Sequence, residues 1–553
     1  MKDTRLNRAA SAREFGVVLT AAIVLTVALT YPLAFNLGRL ARAQADDGRF
    51  SIWNVAWVAR TLVVDPVHLF DANIFYPHRD TLVYSESNLG AGTIAIPVYW
   101  LTRNPYAAHN SAVLAAFILC AIGAYYLARY LTGSRPAAAI AAICYAFCPN
   151  VFGWTAEIQL MMTFGLPYSM LAFHRLADRP SAGRGLALGT AMAMTAYFCA
   201  YYGVFVLLMI GFAVLVTAAQ RGLWRDRRYV IAVAIAAVAA VALIMPLFWH
   251  YLALQQTRGF SRSLSEAEMY AADWRAYLTS SARAHRWIAR FAKGHEVGFP
   301  GFVATIFAVA GIASWPRQDR GRRQLLVLYG ALAVLALWAS FGPAAFLYTV
   351  LYDIVPGFTL MRAPGRFALV VSFAIAMLAA FGVQALLARA KSAVVVAAVV
   401  VALAVAESIE APPWRPTPPL DPVYPQLAAL PAAPIIELPF FTRERGLFNH
   451  SKYMLASTSH WRPLVNGYSD YIPPDFSEHM DTLATFPSRD AFKILEPLGV
   501  RYAIFHRNLD SGANWTDAMA RVKEFAPYLR LLWLGAEGTH DETRLYEIVA
   551  VPP

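Results

Sequence analysis

Three of the carboxylates in one segment are candidates for proton transfer. Asp46 and Asp47 follow the first strongly apolar run of the chain, and Glu86 lies farther along the same segment, DDGRFSIWNVAWVARTLVVDPVHLFDANIFYPHRDTLVYSESNLG. A carboxylate just outside a membrane could take the proton of a hydroxyl group that then attacks an electrophile. Acids in aqueous loops are more often plain solvated charge, and spacing alone leaves both interpretations open.

A second set of polar residues could bind a substrate. The candidates are Arg258, Arg262, Arg362, Arg366, Glu157 and Tyr202. Arg362 and Arg366 lie in LMRAPGRF directly before an apolar run, where a guanidinium could bind a lipid phosphate or only fix membrane topology. Glu157, in WTAEIQL at the outer end of a run, is either an interfacial charge or a second catalytic acid. Tyr202 either lines the same cavity or belongs to the aromatic belt at the membrane surface.

Neither the cysteines nor the histidines indicate a metal centre. The four cysteines all lie in apolar runs without a His or carboxylate at ligand spacing, so we expect them to fill the core. The histidines are scattered along the chain. Metal dependence stays open, because Asp47 together with Glu86 could hold one divalent ion such as Mg or Mn.

The composition requires lipid as the solvent of most of the chain. Of 553 residues, 58% are hydrophobic and only 15% are charged, and the mean hydropathy is +0.45. Soluble domains have about 25% charged residues. The net charge of +12 comes from Lys and Arg in short clusters between apolar runs, which is typical of membrane topology signals and argues against nucleic-acid binding.

The apolar runs predict about eleven membrane-spanning helices. The first extends from about Gly16 to Phe35, and the others lie near 108–131, 136–154, 159–175, 185–200, 202–219, 229–248, 301–315, 325–341, 367–388 and 392–408. Five short connections rich in Arg and Lys then fall on one side, which predicts a cytoplasmic N-terminus in an inner membrane. The long segments 36–107, 250–300 and everything after 409 fall on the opposite, periplasmic side. In 250–300, Arg residues alternate with Trp and Tyr, which fits either headgroup anchoring or a cationic site for a phosphate-bearing substrate.

The end of the chain has the pattern of a small α/β or α+β domain. A Pro-rich linker, APPWRPTPPLDPVYP, follows the last apolar run. APIIELPF and VRYAIFH resemble buried strands, LRLLWLG and TRLYEIVAV a closing hairpin, and RDAFKILEPLG a helix. We therefore predict an α-helical polytopic membrane domain over 1–408 and an extracytoplasmic α/β domain over 409–553.

The long first extracytoplasmic loop with an acid soon after the first helix resembles the GT-C superfamily of membrane glycosyltransferases. The stretches that carry the resemblance, most closely to bacterial membrane proteins of that architecture, are DGRFSIWNVAW, HLFDANIFYPHRDTLVYSES, NPYAAHN, GFSRSLSEAEMY, GFPG, MRAPGRF and NGYSDYIPP. The resemblance implies transfer of a sugar from a polyprenyl-phosphate donor to an envelope glycan, lipid or protein. Asp47 best matches the general base of the first loop, with Asp46 as the alternative. Glu86 or Glu157 could be the second acid, for which no clear motif is present.

Two other classes of protein remain as alternatives. A non-catalytic member of the same architecture would use its outer domain as a scaffold for envelope assembly. A transporter of lipid-linked sugars would need ionisable groups within its spans, and the apolar runs contain few of them.

Overall fold

The computed structural model describes residues 2–44, 47–259, 261–291, 297–355, 357–410, 413–444 and 446–552. The chain forms two compact units. The first, here called the helical unit, consists of Met1–Leu37, Asn88–Ile94 and Asn110–Trp414, and the second, the loop–tail unit, of Gly38–Ser87, Ala95–His109 and Arg415–Pro553. The sequence analysis assigned the first loop to the membrane domain, whereas the structure groups it with the C-terminal residues.

The structure is mostly helical. Its α-helices are α1 Lys2–Leu29, α2 Gly48–Val64, α3 Leu89–Thr102, α4 Pro105–Thr132, α5 Arg135–Ala146, α6 Pro149–Gly153, α7 Ile158–Met161, α8 Gly165–Asp178, α9 Ala182–Phe198, α10 Ala200–Arg221, α11 Arg227–Arg258, α12 Leu264–Met269, α13 Phe302–Ala313, α14 Arg320–Ser340, α15 Leu347–Ile354, α16 Ala368–Leu387, α17 Ala393–Glu407, α18 Val423–Ala428, α19 His450–Ala456, α20 Pro474–Ala484, α21 Arg489–Leu495 and α22 Gly512–Glu524. Every predicted apolar run overlaps at least one of these helices, and the runs 136–154 and 159–175 each overlap two.

The helical unit has the features of a multi-pass membrane protein. Among the described residues, seven helices are long and apolar enough to cross a bilayer, and three further apolar helices, α3, α13 and α17, are shorter. Glycines allow two pairs of helices to approach closely. A Cβ atom at Gly185 of α9 would overlap the carbonyl oxygen of Ala232 in α11, and one at Gly382 of α16 would overlap that of Phe307 in α13. Such small-residue contacts stabilise helix pairs in lipid. The exact number of spans remains a prediction.

The loop–tail unit is built from segments that are far apart in the sequence. Strand β1, Leu40–Ala41, pairs antiparallel with β2, Arg415–Pro416. The backbone amide of Leu464 donates to the carbonyl of Asn73, and that of Tyr76 donates to the carbonyl of Leu464. The Asn73 side chain donates to the Ser457 hydroxyl and to the Arg462 carbonyl, at 3.1 and 2.9 Å. The first loop and the tail therefore form one core.

Helix α2 contains the stretch SIWNVAWVARTLVV. Ten of its fourteen residues are buried, including Ile52, Val55 and Val58, whereas Val63 and Val64 at its end are exposed. The indole nitrogen of Trp53 donates to Asn73 at 3.2 Å, and that of Trp57 donates to the carbonyl of Leu69 at 2.9 Å. Helix α2 is therefore mostly buried and is bonded to other segments of the loop–tail unit.

The tail contains a four-stranded sheet. Its strands are β3 Ile435–Leu438, β4 Tyr502–His506, β5 Leu529–Gly535 and β6 Thr543–Ile548, in the spatial order β3-β4-β6-β5. β3 and β4 are parallel, and the other pairs are antiparallel. These strands fall on the four predicted segments, with β5 and β6 as the expected hairpin, and α21 lies in the predicted helical stretch.

A buried ionic network lies beside this sheet. Glu437 of β3 is fully buried, and its Oε2 atom lies 2.8 Å from His506 Nε2 and accepts a hydrogen bond of 2.8 Å from the Tyr424 hydroxyl. Asp421 Oδ2 lies 3.7 Å from His506 Nδ1. Burial alone would lower the pKa of His506, but these two carboxylates raise it from 6.5 to about 9. His506 is therefore a buried cation at neutral pH.

This network predicts a loss of stability at alkaline pH. Because the pKa of His506 is raised in the folded state to about 9, its contribution is complete below about pH 6.5 and is lost as the pH rises through about 9. The shift corresponds to a contribution on the order of 3 kcal/mol to the free energy of unfolding. We expect His506→Gln to lower the melting temperature of the detergent-purified chain at neutral pH. Between neutral pH and about pH 9.5, the melting temperature of the variant should fall less than that of the wild type. His540→Gln, at an exposed turn, is the control; equal effects of the two changes would contradict the assignment.

Candidate functional site

Asp47 lies at the start of α2, within the loop–tail unit. Its carbonyl oxygen accepts the Ser51 amide at 2.8 Å, which starts the helix. Its carboxylate accepts a hydrogen bond of 3.1 Å from the Tyr468 hydroxyl. The ring of Tyr468 in turn packs edge-on against Phe50, with 6.2 Å between ring centroids. The DGRFS and NGYSDY stretches, which the sequence analysis quoted separately, therefore meet at this carboxylate.

Two glycines make this meeting possible. A Cβ atom at Gly48 would overlap the carbonyl oxygen of Arg42, so only glycine lets α2 begin directly after Asp47. A Cβ atom at Gly467 would lie 2.5 Å from the ring of Phe75, which is too close for any side chain. Close packing at Gly48 and Gly467 thus helps to fix the Asp47 carboxylate and the Tyr468 hydroxyl that donates to it.

The residues just before Glu86 also contact the tail, at Asp470 and Tyr471. The hydroxyl of Ser85 donates to the Asp470 carboxylate at 2.8 Å, and Tyr84 packs against Tyr471 with 4.9 Å between ring centroids. The backbone carbonyl of Glu86 accepts a hydrogen bond of 3.0 Å from Asn54 of α2. Asp470 is an acid that the sequence analysis did not select, although it lies in the quoted motif NGYSDYIPP. Asp46 lies outside the described residues.

Two cations lie near the beginning of α2. Arg49 and Lys452 are both half-buried. Burial lowers the pKa of Arg49, and burial together with the charge of Arg49 lowers the pKa of Lys452.

The helical unit brings several of the predicted binding residues together. Arg366 Nη2 lies 3.8 Å from Glu157 Oε2, and the Arg366 guanidinium lies 4.3 Å from the centre of the Tyr201 ring. The hydroxyl of Tyr201 accepts a hydrogen bond of 3.0 Å from the Arg362 backbone amide. The side chain of Arg366 is largely buried, and its Nε atom has no hydrogen-bond partner among the described residues.

A second carboxylate extends this group of residues. Glu266 Oε1 lies 3.7 Å from Arg362 Nη1 and accepts a hydrogen bond of 2.8 Å from Arg262. The Arg362 guanidinium also lies 5.3 Å from the centre of the Tyr270 ring. We call Glu157, Tyr201, Arg262, Glu266, Arg362 and Arg366 the arginine cluster. It has three guanidinium groups and two carboxylates, so it retains a positive charge that could attract an anion.

Two other predicted binding residues lie differently. The hydroxyl of Tyr202 donates to the carbonyl of Leu160 at 2.6 Å, and the side chain is fully buried, so Tyr202 packs in the core while its neighbour Tyr201 contacts both arginines. The side chain of Arg258 lies outside the described part of the chain. Glu266 was not among the predicted binding residues; its spacing of four residues from Arg262 was the available signal.

The described residues contain no group of three or more His, Cys, Asp or Glu side chains that could hold a metal ion. The sequence analysis left metal dependence open, with Asp47 and Glu86 as the candidate ligands. Two carboxylates alone leave most of the coordination sphere of such an ion to water or substrate. Metal dependence stays an open prediction.

Comparisons with known proteins give a structural likeness only. No protein-family model matches the chain, and no curated protein sequence matches it. The arabinofuranosyltransferase AftD from mycobacteria has a TM-score of 0.61 at 13% identity, over 97% of this chain and 40% of that one. The oligosaccharyltransferase AglB of Archaeoglobus fulgidus, solved with an inhibitory peptide and a dolichol-phosphate, has a TM-score of 0.44 at 12% identity, over 97% of this chain and 74% of that one. ArnT of Cupriavidus metallidurans has a TM-score of 0.43 at 15% identity, over 98% of this chain and 100% of that one.

Proposed function

We propose that this chain, which has the GT-C fold of membrane glycosyltransferases, transfers a sugar from a polyprenyl-phosphate donor to an acceptor hydroxyl. The acceptor would be an envelope glycan, lipid or protein on the periplasmic side of the inner membrane. The chain spans only 40% of the length of AftD, so the substrates of that larger enzyme are not carried over. A non-catalytic scaffold for envelope assembly is the alternative.

The observation that carries the proposal is the placement of Asp47. A carboxylate that acted only as solvated charge would need neither a defined partner nor a tight backbone around it. The Asp47 carboxylate accepts a bond of 3.1 Å from the Tyr468 hydroxyl. The next residue, Gly48, lies so close to the Arg42 backbone that a Cβ atom would not fit. Such preorganisation is what a general base needs in order to act on one particular hydroxyl group.

The proposed reaction is a single displacement. Asp47 takes the proton of the acceptor hydroxyl while the acceptor oxygen forms a bond to the anomeric carbon of the sugar. The bond from that carbon to the phosphate oxygen breaks, and its electron pair leaves with the lipid phosphate. Attack from the face opposite the phosphate inverts the configuration. Glu86 is proposed as the second acid of the site, and the leaving phosphate needs cations more than it needs a proton.

The arginine cluster is proposed as the binding site of the lipid phosphate. Arg362 and Arg366 would bind the phosphate oxygens. Arg262 would offset the charge of Glu266, the carboxylate that also lies beside Arg362. The partly buried pair of Arg366 and Glu157, at 3.8 Å, is looser than a direct hydrogen bond, and the Nε atom of Arg366 has no partner among the described residues. A phosphate oxygen that reached the Nη atoms of Arg366 would make the closer, charge-assisted bond that Glu157 does not make.

The first test replaces the proposed base. We expect Asp47→Asn to reduce sugar transfer by at least about 100-fold, the usual contribution of a general base, without changing expression. The readout is mass spectrometry of envelope glycans and lipid-linked sugars in a strain that lacks the chain and carries each variant. Asp65→Asn, an exposed acid of the same unit, is the control and should behave like wild type. Normal products with Asp47→Asn would remove Asp47 from the reaction and favour the scaffold.

The second test separates phosphate binding from a purely structural ion pair. We expect Arg366→Gln to weaken binding of undecaprenyl phosphate to the purified chain by about tenfold or more, because a charge-assisted hydrogen bond contributes about 1.5–3 kcal/mol. Glu157→Gln should leave binding unchanged or tighten it, since it removes a competing anion.

Arg389→Gln, at an exposed position after α16, is the matched control. Binding can be measured by thermal shift or native mass spectrometry, with a melting curve of each variant alone to identify misfolding. Equal losses with Arg366→Gln and Glu157→Gln, or no loss with either, would contradict a phosphate site.

A further inference from the structure

A serine, a histidine and a glutamate of the helical unit form a chain of hydrogen bonds that the proposed transfer reaction does not use. The hydroxyl oxygen of Ser280 lies 2.7 Å from Nδ1 of His285, and Nε2 of the same ring lies 2.8 Å from Oε1 of Glu407. We call these three residues the serine triad. A hydroxyl within reach of a base, with the base oriented by a carboxylate, is the arrangement that activates serine for covalent catalysis.

The hydrogen bonds of Glu407 determine which nitrogen of His285 carries the proton. Oε1 of Glu407 accepts the backbone amide of Phe302, and Oε2 accepts that of Val303 at 2.9 Å. Because both oxygen atoms act as acceptors, Nε2 of His285 must carry the proton that it donates to Oε1. In the neutral ring, Nδ1 then has the free electron pair and accepts the proton of the Ser280 hydroxyl. The ring is therefore in the state that a general base needs.

The GFPG stretch, residues 298–301, fixes the histidine and the glutamate. Gly301 has a φ of +100°, and a Cβ atom there would lie only 3.2 Å from Oε2 of Glu407. Phe299 packs edge-on against the buried ring of His285, with 4.9 Å between ring centroids. The base and its carboxylate are thus held in place by the protein before any ligand binds, as an efficient catalytic pair requires.

The serine end of the triad reaches the surface beside an apolar patch. Ser280 is half-buried, whereas the side chains of His285 and Glu407 are 1% and 13% exposed. The ring of Phe302 lies 5.3 Å from that of His285, and Trp287 stacks on Phe302 at 6.0 Å. Trp287 and Phe302 are 52% and 38% exposed. An apolar chain of a substrate would find a binding surface there, next to the histidine.

The backbone beside the serine offers donors for a developing negative charge. The amides of Ser280 and Ser281 donate to no acceptor among the described residues. The amide of the residue after a serine nucleophile often donates to the oxygen that becomes negative during acyl transfer. The Ser281 hydroxyl donates to the Glu410 carboxylate at 2.9 Å, and the Arg283 amide donates to the carbonyl of Ile409 at 3.0 Å. These bonds hold the serine segment against the chain that follows α17.

We propose that Ser280 is the nucleophile of a second active site, which hydrolyses a carboxylic ester with an apolar acyl chain. The Ser280 oxygen forms a bond to the acyl carbon while its proton passes to Nδ1 of His285. The bond from the acyl carbon to the alcohol oxygen breaks, and the alcohol leaves with the proton from His285. Water then attacks the acyl-serine and gives a proton to the same nitrogen. The carboxylic acid is released, and the Ser280 oxygen takes that proton back.

The test is covalent labelling of the full-length chain purified in detergent. A fluorophosphonate probe modifies serine hydroxyls that a neighbouring base activates and leaves ordinary serines unmodified. We expect the probe on Ser280 of the wild-type chain, identified by mass spectrometry of its peptides. The same preparation should hydrolyse p-nitrophenyl octanoate. The position of the label is read from the wild type, so it does not depend on how any variant folds.

Variants assign both signals to the serine triad. Ser280→Ala should abolish labelling and hydrolysis without changing the melting temperature. His285→Gln should reduce both at least about 100-fold, the usual contribution of a general base. Ser265→Ala, at an exposed serine of the segment 250–300, is the control and should match the wild type.

Absence of a label on Ser280 in the wild type would overturn the proposal. Hydrolysis that persists in Ser280→Ala, or wild-type rates in His285→Gln, would overturn it as well. If the melting curve shows that His285→Gln is misfolded, the labelled position and Ser280→Ala decide the question. Neither readout involves a lipid-linked sugar, so failure here is independent of whether the chain transfers sugars.

Discussion

The loop–tail unit imposes the central constraint on this protein, because two segments separated by most of the helical unit share one core. The Asn73 side chain and the Ser457 hydroxyl, 384 residues apart in sequence, are joined by a buried hydrogen bond. Segments that fold together must lie on the same side of the membrane. The chain between them must therefore cross the bilayer an even number of times. Both counts are even: ten apolar runs are predicted after the first, and six candidate helices follow the first among the described residues.

This shared core gives the candidate base its surroundings. Helix α2 bonds to the first loop at Asn73 and Leu69, and Asp47 at its start accepts a bond from Tyr468 of the tail. Beside Tyr468, Gly467 packs so closely against the ring of Phe75 in the first loop that a Cβ atom would lie 2.5 Å from it. In the helical unit, the arginine cluster gains its order in a similar way, since Tyr201 bonds the Arg362 backbone and covers the Arg366 guanidinium. In both units a side chain with possible chemistry is fixed by neighbours from distant parts of the sequence.

Local patterns predicted the local elements well. The apolar runs indicated the helices, and alternation and turn residues indicated β3 to β6, because these depend on neighbouring residues. The pairing of the first loop with the tail was missed, since no local pattern encodes a contact such as Leu464 with Asn73. Tyr202 was among the predicted binding residues, whereas its neighbour Tyr201 contacts Arg362 and Arg366 in the structure. Adjacent residues on a helix point about 100° apart, and no local pattern indicates which of the two tyrosines faces the arginines. The roles of Arg362, Arg366 and Tyr202 in substrate binding stay predictions.

Labelling of single cysteines with a membrane-impermeant maleimide tests the central claim most directly. The four native cysteines are buried, so they should give little background. Asp65→Cys in the first loop and Glu537→Cys in the tail should both react in intact cells. Arg320→Cys, at the start of α14, should react only after the cells are made permeable. Protection of position 65 or position 537 in intact cells would contradict an extracytoplasmic loop–tail unit and, with it, sugar transfer by Asp47 from a lipid-linked donor.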